Sequence, residues 1–176
     1  NRSFRAGPLR LSLRTEIEFD GMIRMDWRLV SNRAIRLDRL SVEMPFRAEQ
    51  ARYLYRFPGK WGTAENAGPM PRQGARLPFV PFLWVGDEDR GLAWFCESPE
   101  QWFPSDASSA IELLPQRGVM MCRLNLVSRR LRLEPESDGR PGTMTGLGTE
   151  THVEVRNMLR YTMGLQATPV KRVTED

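Results

Sequence analysis

The side chains of this chain that could do chemistry are few in kind: 22 carboxylates, one histidine, two cysteines, five tryptophans and a large set of arginines. Acid–base or nucleophilic work needs a titratable group beside a partner that orients it. His152 is the single imidazole and falls on the polar side of an alternating segment, so a histidine-based metal site or triad lacks material. Cys96 and Cys122 have no metal-type spacing and sit in apolar strands. They read as buried thiols, with an inter-strand disulfide as the alternative if the protein is exported. What remains is recognition chemistry. Trp61, Trp102 and Phe103 fall in loops, where an aromatic plane can stack on a ligand or on another domain. Glu97, Asp87 and Arg90 lie nearby in sequence and could exchange hydrogen bonds with hydroxyls. The blander reading has the tryptophans packing their own loops, and Glu97 and Arg90 serving as turn or cross-strand partners.

Composition removes several classes. A net charge of +4 arises from 26 basic and 22 acidic residues, and only Lys60 and Lys171 are lysines. The arginines are scattered singly along strands and alternate with acidic residues, which suits solvated faces with cross-strand pairs rather than a phosphate-binding stripe. Nucleic acid is therefore not an expected partner. No segment is apolar for the length of a membrane span. The chain opens at Asn1 with no charged segment followed by an apolar one, so no signal peptide is visible and localisation stays open.

The elements that must position these residues centre on Phe79 to Trp102. Phe79 to Val85 is apolar apart from Pro81, Gly86 to Gly91 is a polar turn with glycine at both ends, and Leu92 to Cys96 is apolar again. That is a β-hairpin apolar on both faces, which demands cover on each side. Trp84 and Trp94 are expected to be core residues. Leu9 to Phe19 alternates strictly, Asp20-Gly21 suits a tight turn, and Ile23, Met25, Trp27 and Leu29 repeat the inward pattern on the way back. From Ile35 to Phe46 the apolar parity slips, predicting one strand with a β-bulge near Asp38-Arg39. Tyr53, Tyr55 and Phe57 alternate in a short strand, and Pro58 to Pro78 reads as a long loop suited to a surface site. Ile111 to Leu114, a Pro115 to Gly118 turn and Val119 to Val127 form a late hairpin. Glu134 to Gly148 reads as a connection and Thr151 to Ala167 as a closing strand. No helical period is found. Nine or ten strands predict an all-β, antiparallel two-sheet β-sandwich of large, galactose-mutarotase-like general shape, with a closed barrel as runner-up.

The segment FLWVGDEDRGLAWFCES with Trp102 beyond it, and the closing Gly164 to Lys171, together resemble the N-terminal β-sandwich domain of bacterial glycoside hydrolase family 123-like proteins. The resemblance implies one sandwich domain over residues 1–171, with 172–176 starting a linker to an absent C-terminal (β/α)8 barrel of the same polypeptide. It implies that hydrolysis of β-linked N-acetylgalactosamine, aided by the substrate's acetamido group and an Asp-Glu pair, belongs to that barrel. This chain is then no enzyme on its own, needs no cofactor or metal, and has the barrel and a glycan as partners. An extracellular or periplasmic setting follows from the resemblance alone. The residues agree, because a glycosidase needs two carboxylates roughly 5–10 Å apart across a sugar cleft, whereas acidic residues here mostly alternate with arginines. The expected contact residues are Trp61, Trp102, Phe103, Glu97 and Arg90. The other readings are a free-standing carbohydrate-binding module and an independent epimerase- or lyase-like enzyme using His152 and Glu97.

Overall fold

The computed structural model describes residues 1–17, 19, 22–58, 66–96, 98–100 and 102–135, together with the backbone of 147–156. Among them are β1 (Arg2–Ala6), β2 (Leu9–Ile17), β3 (Met22–Ser31), β4 (Ile35–Leu37), β5 (Leu40–Arg47), β6 (Tyr53–Phe57) and β7 (Ala67–Pro69). There follow β8 (Ala75–Leu77), β9 (Phe82–Gly86), β10 (Gly91–Phe95), β11 (Ile111–Gln116), β12 (Val119–Val127), β13 (Leu131–Leu133) and β14 (Leu147–Arg156). One 3-10 turn at Ala107–Ser109 is the only helical element among the described residues. The strands form an eight-stranded antiparallel sheet in the order β1-β2-β3-β14-β10-β9-β6-β7, a four-stranded sheet in the order β5-β12-β11-β8, and a β4/β13 ribbon. Among the described residues both larger sheets are open, as in a sandwich rather than a closed barrel.

The central hairpin pairs Leu92 with Val85 and Trp94 with Leu83. Successive side chains of a strand point to opposite faces, and here both faces are buried. Leu83, Val85 and Trp94 enter the inter-sheet core with Ile111, Leu113, Cys122 and Leu124 of the smaller sheet, joined by Ile23, Met25 and Trp27. Trp84 and Ala93 face the other way and pack with Tyr55, Tyr53 and Phe82. The Trp84 indole lies so close over Gly86 and Gly91 that a Cβ on either glycine would overlap its ring. Glycine is required there by the approach of the indole.

Several expectations are corrected. Ile35 to Phe46 is two strands, because β4 joins the ribbon while β5 joins the four-stranded sheet. The parity change therefore marks a strand break at Asp38-Arg39, not a bulge. The Pro58 to Pro78 segment contains two three-residue edge strands, β7 and β8, one on each sheet. The late hairpin turns at Arg117-Gly118, with Gln116 opposite Val119 and Gly118 at a φ of 74°. β1 and β13 went unforeseen, and fourteen described strands replace nine or ten. The closing strand is described over Leu147–Arg156, two residues into the expected connection; its continuation to Ala167 lies outside the described residues. Asp20-Gly21 also lies outside them. Ile17 is 74% exposed, and Phe19 is fully exposed, so the inward face of β2 fades at its end. Cys96 and Cys122 are both buried and are not joined in a disulfide, and burial pushes the Cys122 thiol up to about 12.

The packing of Trp84 yields a specific expectation. Gly91→Ala forces the indole or the hairpin backbone to move, an overpacking cost of about 1–3 kcal/mol. Chemical denaturation should show that loss, while Gly7→Ala, where no atom lies near the added carbon, should cost only the strain of its φ of 58°. A Gly91→Ala protein as stable as the parent would contradict the packing described.

Candidate functional site

The turn of the central hairpin is built to hold its polar residues still. The Asp87 carboxylate accepts from the backbone N–H of Asp89 at 2.9 Å and of Arg90 at 2.8 Å, and the Asp87 N–H donates to the Arg90 carbonyl at 2.8 Å. This is an Asx-type turn, in which a short acidic side chain satisfies the backbone two and three residues on. The Glu88 side chain leaves the turn for β6, accepting from the Tyr53 hydroxyl at 2.7 Å and the Arg52 guanidinium at 2.8 Å. The Tyr53 hydrogen bond is the main cause holding the Glu88 carboxyl below its ordinary value; the same bond raises the Tyr53 phenol, with burial adding to it. The Arg52 guanidinium also sits 5.6 Å from the Tyr53 ring centroid.

Arg90, exposed at the end of this anchored turn, lines a cleft of about 420 Å³ between the hairpin and β5. Met44, Phe46, Val85 and Leu92 supply its apolar lining, and Gln50, Glu43 and Arg90 its polar groups. Glu43 is already engaged by Arg123 at 2.7 Å. A permanent cation and an amide beside apolar surface can orient a ligand; a single engaged carboxylate does not make a facing acid–base pair.

The five residues expected to make contacts are not gathered together. Arg90 lines the cleft, and neither Trp102 nor Phe103 does. Trp102 is 8% exposed in the inter-sheet core, with ring centroids 5.2 Å from Phe79 and 5.8 Å from Trp94. Phe103 is half-buried against the ribbon cluster, with the Arg129 guanidinium 5.2 Å from its ring centroid. Trp61 and Glu97 lie outside the described residues. Asp87 is occupied by its own turn. The backbone of His152 pairs with Phe95 and Arg24 in the large sheet. Sequence reasoning missed Glu88, Phe46 and Gln50. The alternation of Val42, Met44 and Phe46 was the available signal for Phe46; nothing local pointed from Glu88 to Tyr53, 35 residues away. Among the described residues no group of three or more His, Cys, Asp or Glu side chains is gathered as a metal site would need, and no helix is long and apolar enough to cross a membrane.

A family model described as glycoside hydrolase 123, third domain, matches residues 1–98, more than half of the 176-residue chain. No curated protein and no solved structure gives a match. The matched span takes in the central hairpin and stops short of Gly164 to Lys171, so one of the two segments behind the resemblance lies within it. It corrects the resemblance in one respect: the matching domain is a third domain, where the resemblance had pointed to an N-terminal one.

The Tyr53–Glu88 bond makes stability depend on pH. A carboxylate whose folded value is depressed contributes stability above its ordinary value, 4.5 for glutamate here, and loses it as pH falls through the folded value. Tyr53→Phe should therefore cost about 1 kcal/mol at pH 7 and markedly less near pH 3, in denaturation at the two pH values. Equal losses at both would show that the bond does not hold the charged form.

Proposed function

The chain belongs to the glycoside hydrolase 123 family, and from that premise we propose that it is a non-catalytic β-sandwich module. It packs on, and shapes the sugar cleft of, a (β/α)8 barrel elsewhere in the same polypeptide. The observation that carries this reading is the match to a domain numbered third in its family, a description that belongs to a protein of several domains. The close packing of the two-sheet core supports it, since a support block has to hold its surface in one shape. Arg90 at the cleft is the contact residue on which the proposal chiefly rests. Trp102 and Phe103 act from beneath, holding the segment after β10 to the core. Trp61 and Glu97 complete the contact set.

A second reading is favoured by the cleft itself. Its volume falls in the range of roughly 300–1,000 Å³ typical of small-ligand sites, which suits a free-standing carbohydrate-binding module whose ligand packs against Phe46 and Leu92 and meets Arg90.

One pair of measurements separates them. The chain alone should release no chromophore from an aryl β-N-acetylgalactosaminide, and titration with uncharged galactose- and N-acetylgalactosamine-containing glycans should show nothing tighter than about millimolar, a weak encounter of about 4 kcal/mol. Turnover that survives rigorous purification would sink both readings. Saturable binding well below millimolar, lost in Arg90→Ala, would select the second.

A further inference from the structure

The cleft beside Arg90 lies where the two sheets part. Val85 and Leu92 reach it from the large sheet and Met44 and Phe46 from the smaller one, and all four belong to the inter-sheet core cluster. Val85 is buried, whereas Met44, Phe46 and Leu92 are half-buried, so the core comes to the surface here. Apolar surface in a concavity suits the body of a small ligand, and the few polar groups beside it decide which ligand that is.

Among the described lining residues the charged side chains are Glu43 and Arg90. Glu43 accepts from Arg123 at 2.7 Å, so its charge is already offset. Arg90 follows three acids in sequence, and its guanidinium is paired with none of them. The Asp87 carboxylate caps the backbone of the turn, Glu88 is held by Tyr53 and Arg52, and Asp89 has a partner of its own. The Arg90 backbone is fixed at both its N–H and its carbonyl by Asp87. Its guanidinium has no partner among the described residues, which leaves it as the cation of the cleft. Gln50 adds an amide.

We propose that this cleft binds a sugar that carries a carboxylate, of the hexuronate type. A planar carboxylate accepts two parallel N–H bonds from one guanidinium, which stays charged at any ordinary pH. The C–H face of the sugar ring packs on Phe46 and Leu92, and the Gln50 amide is left for a ring hydroxyl. A doubly charged phosphate would meet a single cation and is the poorer match. The choice of a sugar as the body rests on the proposed role as a module of a glycan-processing protein; the preference for a carboxylate rests on Arg90 and does not.

Calorimetric titration of the whole chain at low salt tests this with three probes: trigalacturonate, its methyl ester, which keeps the rings and removes the charge, and acetate. Trigalacturonate should bind saturably and weaken as salt is raised. Esterifying it, or introducing Arg90→Ala, should each weaken binding about tenfold or more, as expected for loss of a charge-assisted pair. Arg36→Ala, on the β4/β13 ribbon and outside the cleft, should change little, and thermal melting confirms that each variant is folded. Equal binding of acid and ester, an equal effect of Arg36→Ala and Arg90→Ala, or no binding of trigalacturonate overturns the proposal. Arg90-dependent binding of acetate as tight as that of trigalacturonate overturns the sugar as the body. None of these outcomes depends on hydrolysis or on uncharged glycans, so the module reading stands or falls separately.

Discussion

A hairpin whose two faces are both apolar has to be covered twice, and the architecture follows from meeting that demand at β9 and β10. On one side Leu83, Val85 and Trp94 are closed over by the four-stranded sheet. On the other, Trp84 folds across Gly86 and Gly91 and is packed by Tyr55 and Phe82, whose rings meet edge to face at 5.6 Å. Fully burying an aromatic side chain of this size stabilises by a few kcal/mol, a large share of the margin by which a domain stays folded. With both faces used, only the turn is left to carry polar groups. Glu88 locks it to Tyr53, and Arg90 is thereby presented at the mouth of a cleft.

Charge is handled differently on the two sheets. Across the smaller one, Arg76, Glu112, Arg123 and Glu43 form a ladder that crosses all four strands, with separations of 3.5, 3.7 and 2.7 Å. Each member stands opposite the next in register, and Asn125 adds a hydrogen bond to Glu112 at 3.0 Å. Such a ladder is internally balanced and leaves little field for a charged partner. On β1 to β3 six arginines stand among two acids, and they are spread along the strands from Arg2 to Arg28.

How far the chain could be read in advance depended on whether the signal was local. Strict alternation in Leu9 to Leu13 and Ile23 to Leu29 revealed the first long pair, and the paired glycines around Asp87 to Arg90 revealed the hairpin. The parity slip at Asp38-Arg39 was visible, yet a bulge and a change of sheet leave the same trace, since both turn the following side chains over. Three-residue strands such as β7, β8 and β13 are too short to show a period and are defined by their partners. Trp102 shows the limit for the site: a tryptophan in a loop is compatible with a surface plane or a core anchor, and its contacts with Phe79 and Trp94 bridge segments with no shared pattern. Arg90 could be placed because its turn is local; the pairing of Glu88 with Tyr53 could not.

The chain is a glycoside hydrolase 123 family domain whose fold is organised around one hairpin buried on both faces. Native-state hydrogen exchange tests that core most directly. The slowest amides should be those of Leu83 to Val85 and Leu92 to Trp94, exchanging only through global unfolding, while β1, exposed along its whole length, should exchange early. If the hairpin amides exchange as fast as those of β1, or if protection peaks in β1 and β2, the hairpin is not the element on which the fold depends.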